Sequence, residues 1–258
     1  MTDYASFKRG FQAELDATWR RIYDRHRDTI KVRRIGAALS NLEKIISATL
    51  RISNRSSFHS MSLRDLSREA DVSMGALYSY IESKDHLSTM ILGHVLFLVD
   101  TVLTPPSGPT ITARERLRWL LRTHIYLSEA MQPWFFFAYM EAKTFDARGR
   151  QMTIESELRT ERLVAECLSP GQGTKASGAV DPTMTAALIK PLLQDWYLKR
   201  WKYRRRKVSP DDYAAWVTRF VETFLAEGEK VEAASLPSPT KTRDQLEVEV
   251  PRIARGAR

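Results

Sequence analysis

The sequence predicts an all-α protein: an N-terminal three-helix bundle carrying a helix-turn-helix, followed by a larger helical unit. Three observations lead there. Apolar residues recur at intervals of three and four along almost the whole chain, without the sustained alternation of a half-buried strand. Two very short helical segments meet at a turn near Asp71-Val72, each preceded by a serine suited to capping. The segment Thr104-Pro-Pro-Ser-Gly-Pro-Thr110 stops any helix and marks a boundary between two units.

Taken in order, Phe7, Phe11, Leu15, Trp19, Ile22 and Tyr23 fall on one face, so residues 5–30 form an amphipathic leader helix. A second helix, about 35–52, carries Leu39, Leu42, Ile45, Ile46 and Leu50 and ends at the polar break starting at Ser53. Short helices follow at 63–70 and 74–80, then a longer one from Lys84 to about Leu103. Beyond the boundary, helices are expected over 112–130, 133–147 and 151–168, then a Gly/Ser-rich loop from Ser169 to Asp181. The helix at 183–206 holds Pro191, which should kink or interrupt it near Leu188. The last helix starts at Ser209-Pro210, where serine caps, proline suits the first turn, and Asp211-Asp212 favour the positive end of the dipole. The expected units are 1–34 (leader), 35–103 (helix-turn-helix with connecting helix), 104–230 (larger helical unit) and 231–258 (tail).

Composition narrows the function. With 43% hydrophobic and 28% charged residues over 258, the chain has the make-up of a folded globular protein. Its one cysteine, Cys167, can form neither an internal disulfide nor a thiolate metal cage. The longest stretch without Asp, Glu, Lys or Arg in a helical pattern, His86 to Val99, is too short to span a bilayer, and the first ten residues lack the layout of a signal peptide. We expect a cytoplasmic protein with no membrane partner. A net charge of +9 favours a polyanionic partner. His26, His59, His86, His94 and His124 show no metal-ligand spacing, Gly171-Gln-Gly-Thr-Lys-Ala is not a phosphate loop, and there is no Gly-x-Ser-x-Gly elbow. We therefore expect no enzyme, no cofactor and no metal.

The informative segment is Ser62-Leu-Arg-Asp-Leu-Ser-Arg-Glu-Ala-Asp-Val-Ser-Met-Gly-Ala-Leu-Tyr-Ser-Tyr-Ile-Glu-Ser-Lys-Asp-His86. Ser62 with Asp65 makes a capping box, and Leu63, Leu66 and Ala70 face inward. Val72 plugs the angle between the two helices and Ser73 caps the second, too short to be stable alone. Leu77 and Ile81 pack inward, while Met74, Ala76, Tyr78, Ser79 and Tyr80 face partly outward. Gly75 suits a place where a partner backbone approaches closely. Ser83 caps the next helix, whose free N–H groups and Lys84 suit a phosphate.

This segment resembles the TetR family of one-component bacterial transcription regulators, through Asp65, Ala70, Val72-Ser73, Gly75, Leu77-Tyr78, Tyr80, Ser83-Lys84 and Leu87. The departures are Leu66-Ser67 for Ile-Ala, Asp71 where the family prefers glycine, and Ile81 for Phe; aspartate tolerates positive φ, so the turn should survive. The resemblance implies a bacterial, nucleoid-associated regulator that binds a pseudo-palindromic operator in double-stranded DNA as a homodimer and answers to a small-molecule effector. Carried over by motif, Ser62, Tyr78 and Lys84 contact phosphates, and Ser73, Met74, Gly75, Ala76 and Tyr80 lie on the recognition helix. None of these groove-facing candidates is Arg, Lys, Asn or Gln, so we expect reading by thymine methyls, water and DNA shape.

In family terms the last two helices build a four-helix dimer interface and the others enclose a ligand. Tyr213, Trp216, Phe220 and Phe224 are the interface candidates, and Trp119, Tyr126, Trp134, Phe137, Trp196 and Arg200 the ligand candidates, although aromatics at helical spacing are more often core. The run Lys199-Arg-Trp-Lys-Tyr-Arg-Arg-Arg-Lys207, seven cations in nine residues, is either a clamp for an anionic effector such as an acyl-CoA or a set of charges complementing a helix C-terminus. The cations of the leader, among them Arg20, Arg21, Arg25, Lys31, Arg33 and Arg34, either reach DNA or solvate a helix. The expected function is a dimeric repressor released by a small hydrophobic or acyl-type effector. The alternative is a ligand-independent DNA-bound scaffold engaging a protein partner through the leader and the basic run.

Overall fold

A computed structural model describes residues 3–104, 111–169 and 181–230. Most of the proline-rich boundary, most of the 169–181 loop and the whole 231–258 tail lie outside the described residues. Those described contain eleven α-helices, one 3-10 turn and no strand. The helices are α1 (Tyr4–Arg25), α2 (Ile35–Arg55), α3 (Leu63–Glu69), α4 (Met74–Leu77), α5 (Lys84–Val102), α6 (Ala113–Ala130), α7 (Gln132–Met140), α8 (Ala147–Leu168), α9 (Pro182–Leu198), α10 (Arg200–Arg205) and α11 (Pro210–Lys230), with the 3-10 turn at Ala142–Thr144. None is long and apolar enough to cross a membrane.

The leader packs on its own chain. Asp3 caps α1, accepting from Ser6 N at 2.7 Å, and at about 1.5 Å per residue the helix extends about 33 Å. Phe7, Phe11, Ile22 and Tyr23 are buried against α2, α5 and α6. Tyr4 and Phe7 meet Tyr126 of α6, and the Tyr4 N–H donates to Asp211 at the start of α11. Trp19 packs on Trp134 of α7. At the other end the Lys31 N–H donates to Ser79 O at 2.9 Å, tying the segment after α1 to the end of the helix-turn-helix.

Behind the three-helix bundle of α2, α3 and α4, α5 packs on α7 and α8, and α6 lies among α8, α9 and α11. Thr112 with Glu115 and Ser209 with Asp212 form capping boxes at the starts of α6 and α11, fixing two chain entries.

Several elements differ from expectation: the leader helix stops at Arg25 instead of running to 30, and the helix expected from 151 begins at Ala147. The second helix runs on to Arg55, its last turn held by packing rather than stopped by polar residues. The helix expected over 133–147 stops at Met140 and tightens into the 3-10 turn. The last-but-one helix is not interrupted near Leu188. Pro191 sits on the solvent side, where water can serve the carbonyl its ring leaves unbonded, and the break falls at Lys199 (φ −114°, ψ 36°). There Asp195 gathers Lys199 Nζ at 2.6 Å, Lys202 Nζ and Tyr203 OH. Burial opposes ionisation of Asp195, but these hydrogen bonds hold its carboxyl down at about 2.

Candidate nucleic-acid interface and effector cavity

The helix-turn-helix is built by short-range bonds. Ser62 Oγ accepts from Asp65 N at 3.1 Å while the Asp65 carboxylate accepts from Ser62 N at 3.3 Å, starting α3. Asp71 adopts φ 52°, the left-handed conformation that reverses the chain. Val72 N donates to Ser67 O and Ser67 Oγ to Val72 O at 2.6 Å, closing the turn. Ser73 Oγ then accepts from Ala76 N at 3.1 Å and caps α4, which a last turn carries on to Tyr80. Leu77 and Ile81 lock the element into the core. Ser73, Gly75 and Tyr78 are exposed, and Met74 and Ala76 half-buried. A side-chain carbon placed on Gly75 would meet no atom within 4 Å, so the space a neighbouring backbone needs lies open outside the chain. Arg64 and Arg68 of α3 border the same shallow surface as Ser73 and Met74. Lys84 Nζ donates to His59 O at 2.9 Å and lies 5.0 Å over the Phe58 ring.

A carboxylate ties this region to the helices behind it. Glu141, buried after α7, accepts at Oε1 from Ser53 Oγ and Phe58 N, both at 3.0 Å, and at Oε2 from Ser57 Oγ at 3.3 Å. The flanking residues Met140, Ala142 and Lys143 line a cavity of about 600 Å³. Leu92, Val95, Leu96 and Val99 of α5 form one wall of it, Met152 and Leu158 of α8 another, and Phe135, Tyr139 and Tyr197 supply rings. Its polar groups include Glu157 and Lys190, whose Nζ stands 3.4 Å from the Glu157 carboxylate. Among the described residues no group of three or more His, Cys, Asp or Glu is placed to hold a metal ion.

Residues 45–88 match the family described as bacterial regulatory proteins, tetR family. The chain is 23% identical over 197 residues to the HTH-type transcriptional regulator HbdR of Aromatoleum sp. (strain CIB), covering 75% of this chain and 85% of that one. It is 26% identical over 195 residues to the HTH-type transcriptional repressor KstR of Rhodococcus jostii (strain RHA1), covering 73% and 84%. The helix-turn-helix segment, residues 45–88, is thus that of the TetR family, and the rest of the chain is similar to regulators that carry it. In fold, it matches the transcriptional regulator FadR from Bacillus subtilis in complex with stearoyl-CoA, at a TM-score of 0.53 and 16% identity, over 69% of this chain and 96% of that one. The segment Ser62 to His86 is thus a DNA-binding element of the kind that these transcriptional regulators carry.

Several residues singled out in the sequence stand elsewhere than expected. Tyr80 does not face outward: it is 1% exposed, its hydroxyl accepts from Asn41 Nδ2 at 3.1 Å and donates to Ala37 O at 3.3 Å, and it follows Leu77 by three residues onto the same inner face. None of the six ligand candidates lines the cavity. Trp119 is half-buried against the core. Tyr126 donates to Asp211, Trp134 packs on Trp19 and His94, Phe137 sits between Phe58 and Phe145, and Trp196 stacks on Tyr213. Large rings fill space that a ligand would otherwise occupy. Arg200 is no free clamp: Glu129 takes it in two bonds at 2.7 and 3.0 Å, and it lies 4.2 Å over Trp196. Of the leader's cations, Arg20 pairs with Asp24, Arg21 with Glu14, and Arg25 donates to Gly93 O.

The dimer candidates divide. Tyr213 is buried, donating to Leu192 O at 2.7 Å. Trp216, Phe220 and Phe224 are 67, 63 and 45% exposed, on a stripe of α11 that flanks the one that Tyr213, Val217 and Val221 bury. Met184 and Leu188 are likewise exposed on the adjacent α9. Sequence reasoning missed Arg64, Arg68, Lys190 and Glu157. The exposed i, i+4 spacing of the two arginines opposite Leu66 was a readable signal.

Proposed function

We propose that the protein is a homodimeric repressor of a pseudo-palindromic operator, released when a small hydrophobic or acyl-type effector fills the cavity. One observation carries the coupling: α5 begins in the helix-turn-helix, at Ser83 and Lys84, and lines the cavity with Leu92, Val95, Leu96 and Val99. A ligand favouring a different placement of α5 shifts the two recognition helices of a dimer away from the spacing the operator requires. Residues 35–103 are taken as the DNA-binding unit and 104–230 as the effector and dimerisation unit. Ser73, Met74, Gly75 and Ala76 enter the major groove, Ser62 and Tyr78 set the register on phosphates, and Lys84 joins them by leaving His59 O. The names of HbdR and KstR support regulation and repression, and the stearoyl-CoA bound to FadR supports an acyl effector.

The exposed apolar faces of α9 and α11 are the surfaces a second copy would cover. The scaffold alternative loses its main support, because the apolar face of the leader is already buried on α2, α5 and α6. Sedimentation of the wild type and Phe220→Glu, each followed by titration onto a selected duplex, tests the proposal. A wild-type dimer, and a folded variant monomer with sharply reduced affinity, are expected. A wild-type monomer that binds specific duplex as well as any dimer would overturn it.

A further inference from the structure

The wall of the cavity holds a nearly buried cation that its protein partner meets only at long range. Lys190, in the middle of α9, is 5% exposed, yet its ammonium opens on an otherwise largely apolar space. Glu157, 3.4 Å away, stands farther off than the 2.7–2.9 Å typical of a strong charge-assisted bond. That carboxylate is more closely held by Gln194, whose Nε2 donates to its two oxygens at 2.8 and 2.9 Å. The ammonium has three N–H groups, and Glu157 engages at most part of that capacity. Lys143 at the cavity rim adds a second cation, while Glu161, one turn beyond Glu157 on α8, adds a second carboxylate to the field at Lys190 without closing on it. Burying a cation that is only loosely paired is costly, and a ligand that supplies a closer partner recovers part of that cost on binding.

We propose that the effector is a monocarboxylic acid whose hydrocarbon body lies among Leu92, Val95, Val99, Met152 and Leu158 and whose carboxylate is bound by Lys190. This rests on the reading of the cavity as the effector site and names the chemistry it selects. Charge complementarity favours the acid over the matching alcohol, because only the carboxylate gives the ammonium a short charge-assisted bond in place of the looser contact at 3.4 Å. Glu157 is the specificity-determining neighbour, since it competes for Lys190 and disfavours a second negative charge.

The test is calorimetric titration of the full chain with straight-chain carboxylates of about six to sixteen carbons and with alcohols of the same lengths, lengths that a cavity of this class admits. Wild type should bind the best carboxylate at least about tenfold more tightly than its alcohol, the scale of one charge-assisted bond. Lys190→Met should erase that preference. Glu157→Gln, which keeps a side chain of the same shape beside Gln194, should strengthen carboxylate binding and leave alcohol binding unchanged. This second variant decides the matter if Lys190→Met does not fold. Alcohols that bind as tightly as acids, or a Glu157→Gln variant that weakens acids, would overturn the proposal while leaving the cavity an effector site. Failure of every acid and alcohol to bind would remove both.

Discussion

Glu141 joins the turn after α7 to the end of α2, and its replacement should show how much that joint contributes. Its carboxylate accepts three hydrogen bonds from residues more than eighty positions away, Ser53 Oγ and Phe58 N at 3.0 Å and Ser57 Oγ at 3.3 Å. A bond to an ionised acceptor contributes about 1.5–3 kcal/mol, but the burial of the charge offsets much of the sum. Glu141→Ala removes the charge together with its burial cost, strands the Phe58 N–H and opens a void, so a loss of about 2–4 kcal/mol is expected. Glu141→Gln keeps one oxygen for Ser53 and Phe58 and turns an amide N–H toward Ser57, whose hydroxyl can rotate to accept; about 1 kcal/mol is expected. Urea unfolding of the three proteins measures both values through the shift in midpoint at constant slope. An alanine variant within about 0.5 kcal/mol of wild type, the range of an ordinary surface change, would refute the reasoning. So would a glutamine variant as damaged as the alanine one.

The effects of two neighbouring tyrosines should separate cleanly. Tyr78→Ala should weaken DNA binding with Tm nearly unchanged, whereas Tyr80→Phe should leave DNA binding intact and cost about 1 kcal/mol by removing the partner of Asn41 and Ala37. Gel shifts alongside thermal melts check both, and a Tyr80→Phe protein defective only in DNA binding would contradict its burial. Burial, then Arg25 and Arg21, push the His94 pKa down to about 4 from its ordinary 6.5. The unfolded chain therefore takes up a proton between pH 6.5 and 4 that the folded chain refuses, so this stability is full above pH 6.5 and is lost as the pH falls toward 4. His94→Gln should make the unfolding free energy less steep in that window by up to about 1.4 kcal/mol per pH unit, and an unchanged slope would count against a neutral buried His94. Raising the salt from about 50 to 200 mM should weaken non-specific DNA binding steeply, and Arg68→Ala should reduce the salt slope by about one unit if it meets a phosphate.

The helix-turn-helix was legible because its determinants are local. Ser62, Ser73 and Ser83 each cap a helix that follows within three residues, and Asp71 takes the positive φ expected of it. Tyr80 was misplaced because a family position was given an orientation that its spacing from Leu77 contradicts. The stripe of α11 was legible as apolar but not as two stripes: Tyr213, Val217 and Val221 repeat every four residues inward, and Trp216, Phe220 and Phe224 repeat every four outward. Both look alike until a neighbouring helix selects one. The cavity was the least legible feature. Lys190 and Glu157 come from different helices, separated by a stretch with no periodic link, and only tertiary packing brings them together. A lone lysine within Ala-Ala-Leu-Ile-Lys-Pro-Leu-Leu was the available signal, and the nearby tryptophans drew attention away from it.

We propose that this chain reads DNA sequence as a symmetric pair. Selection of random duplexes of about 30 base pairs by the purified protein near physiological salt tests it most directly, since specific sites should exceed non-specific DNA by about 10³ or more. The account predicts a two-fold-symmetric motif with half-sites spaced by at least one helical turn, and a changed preference when Met74 is replaced. A folded dimer that enriches no motif, or a motif without two-fold symmetry, would contradict it.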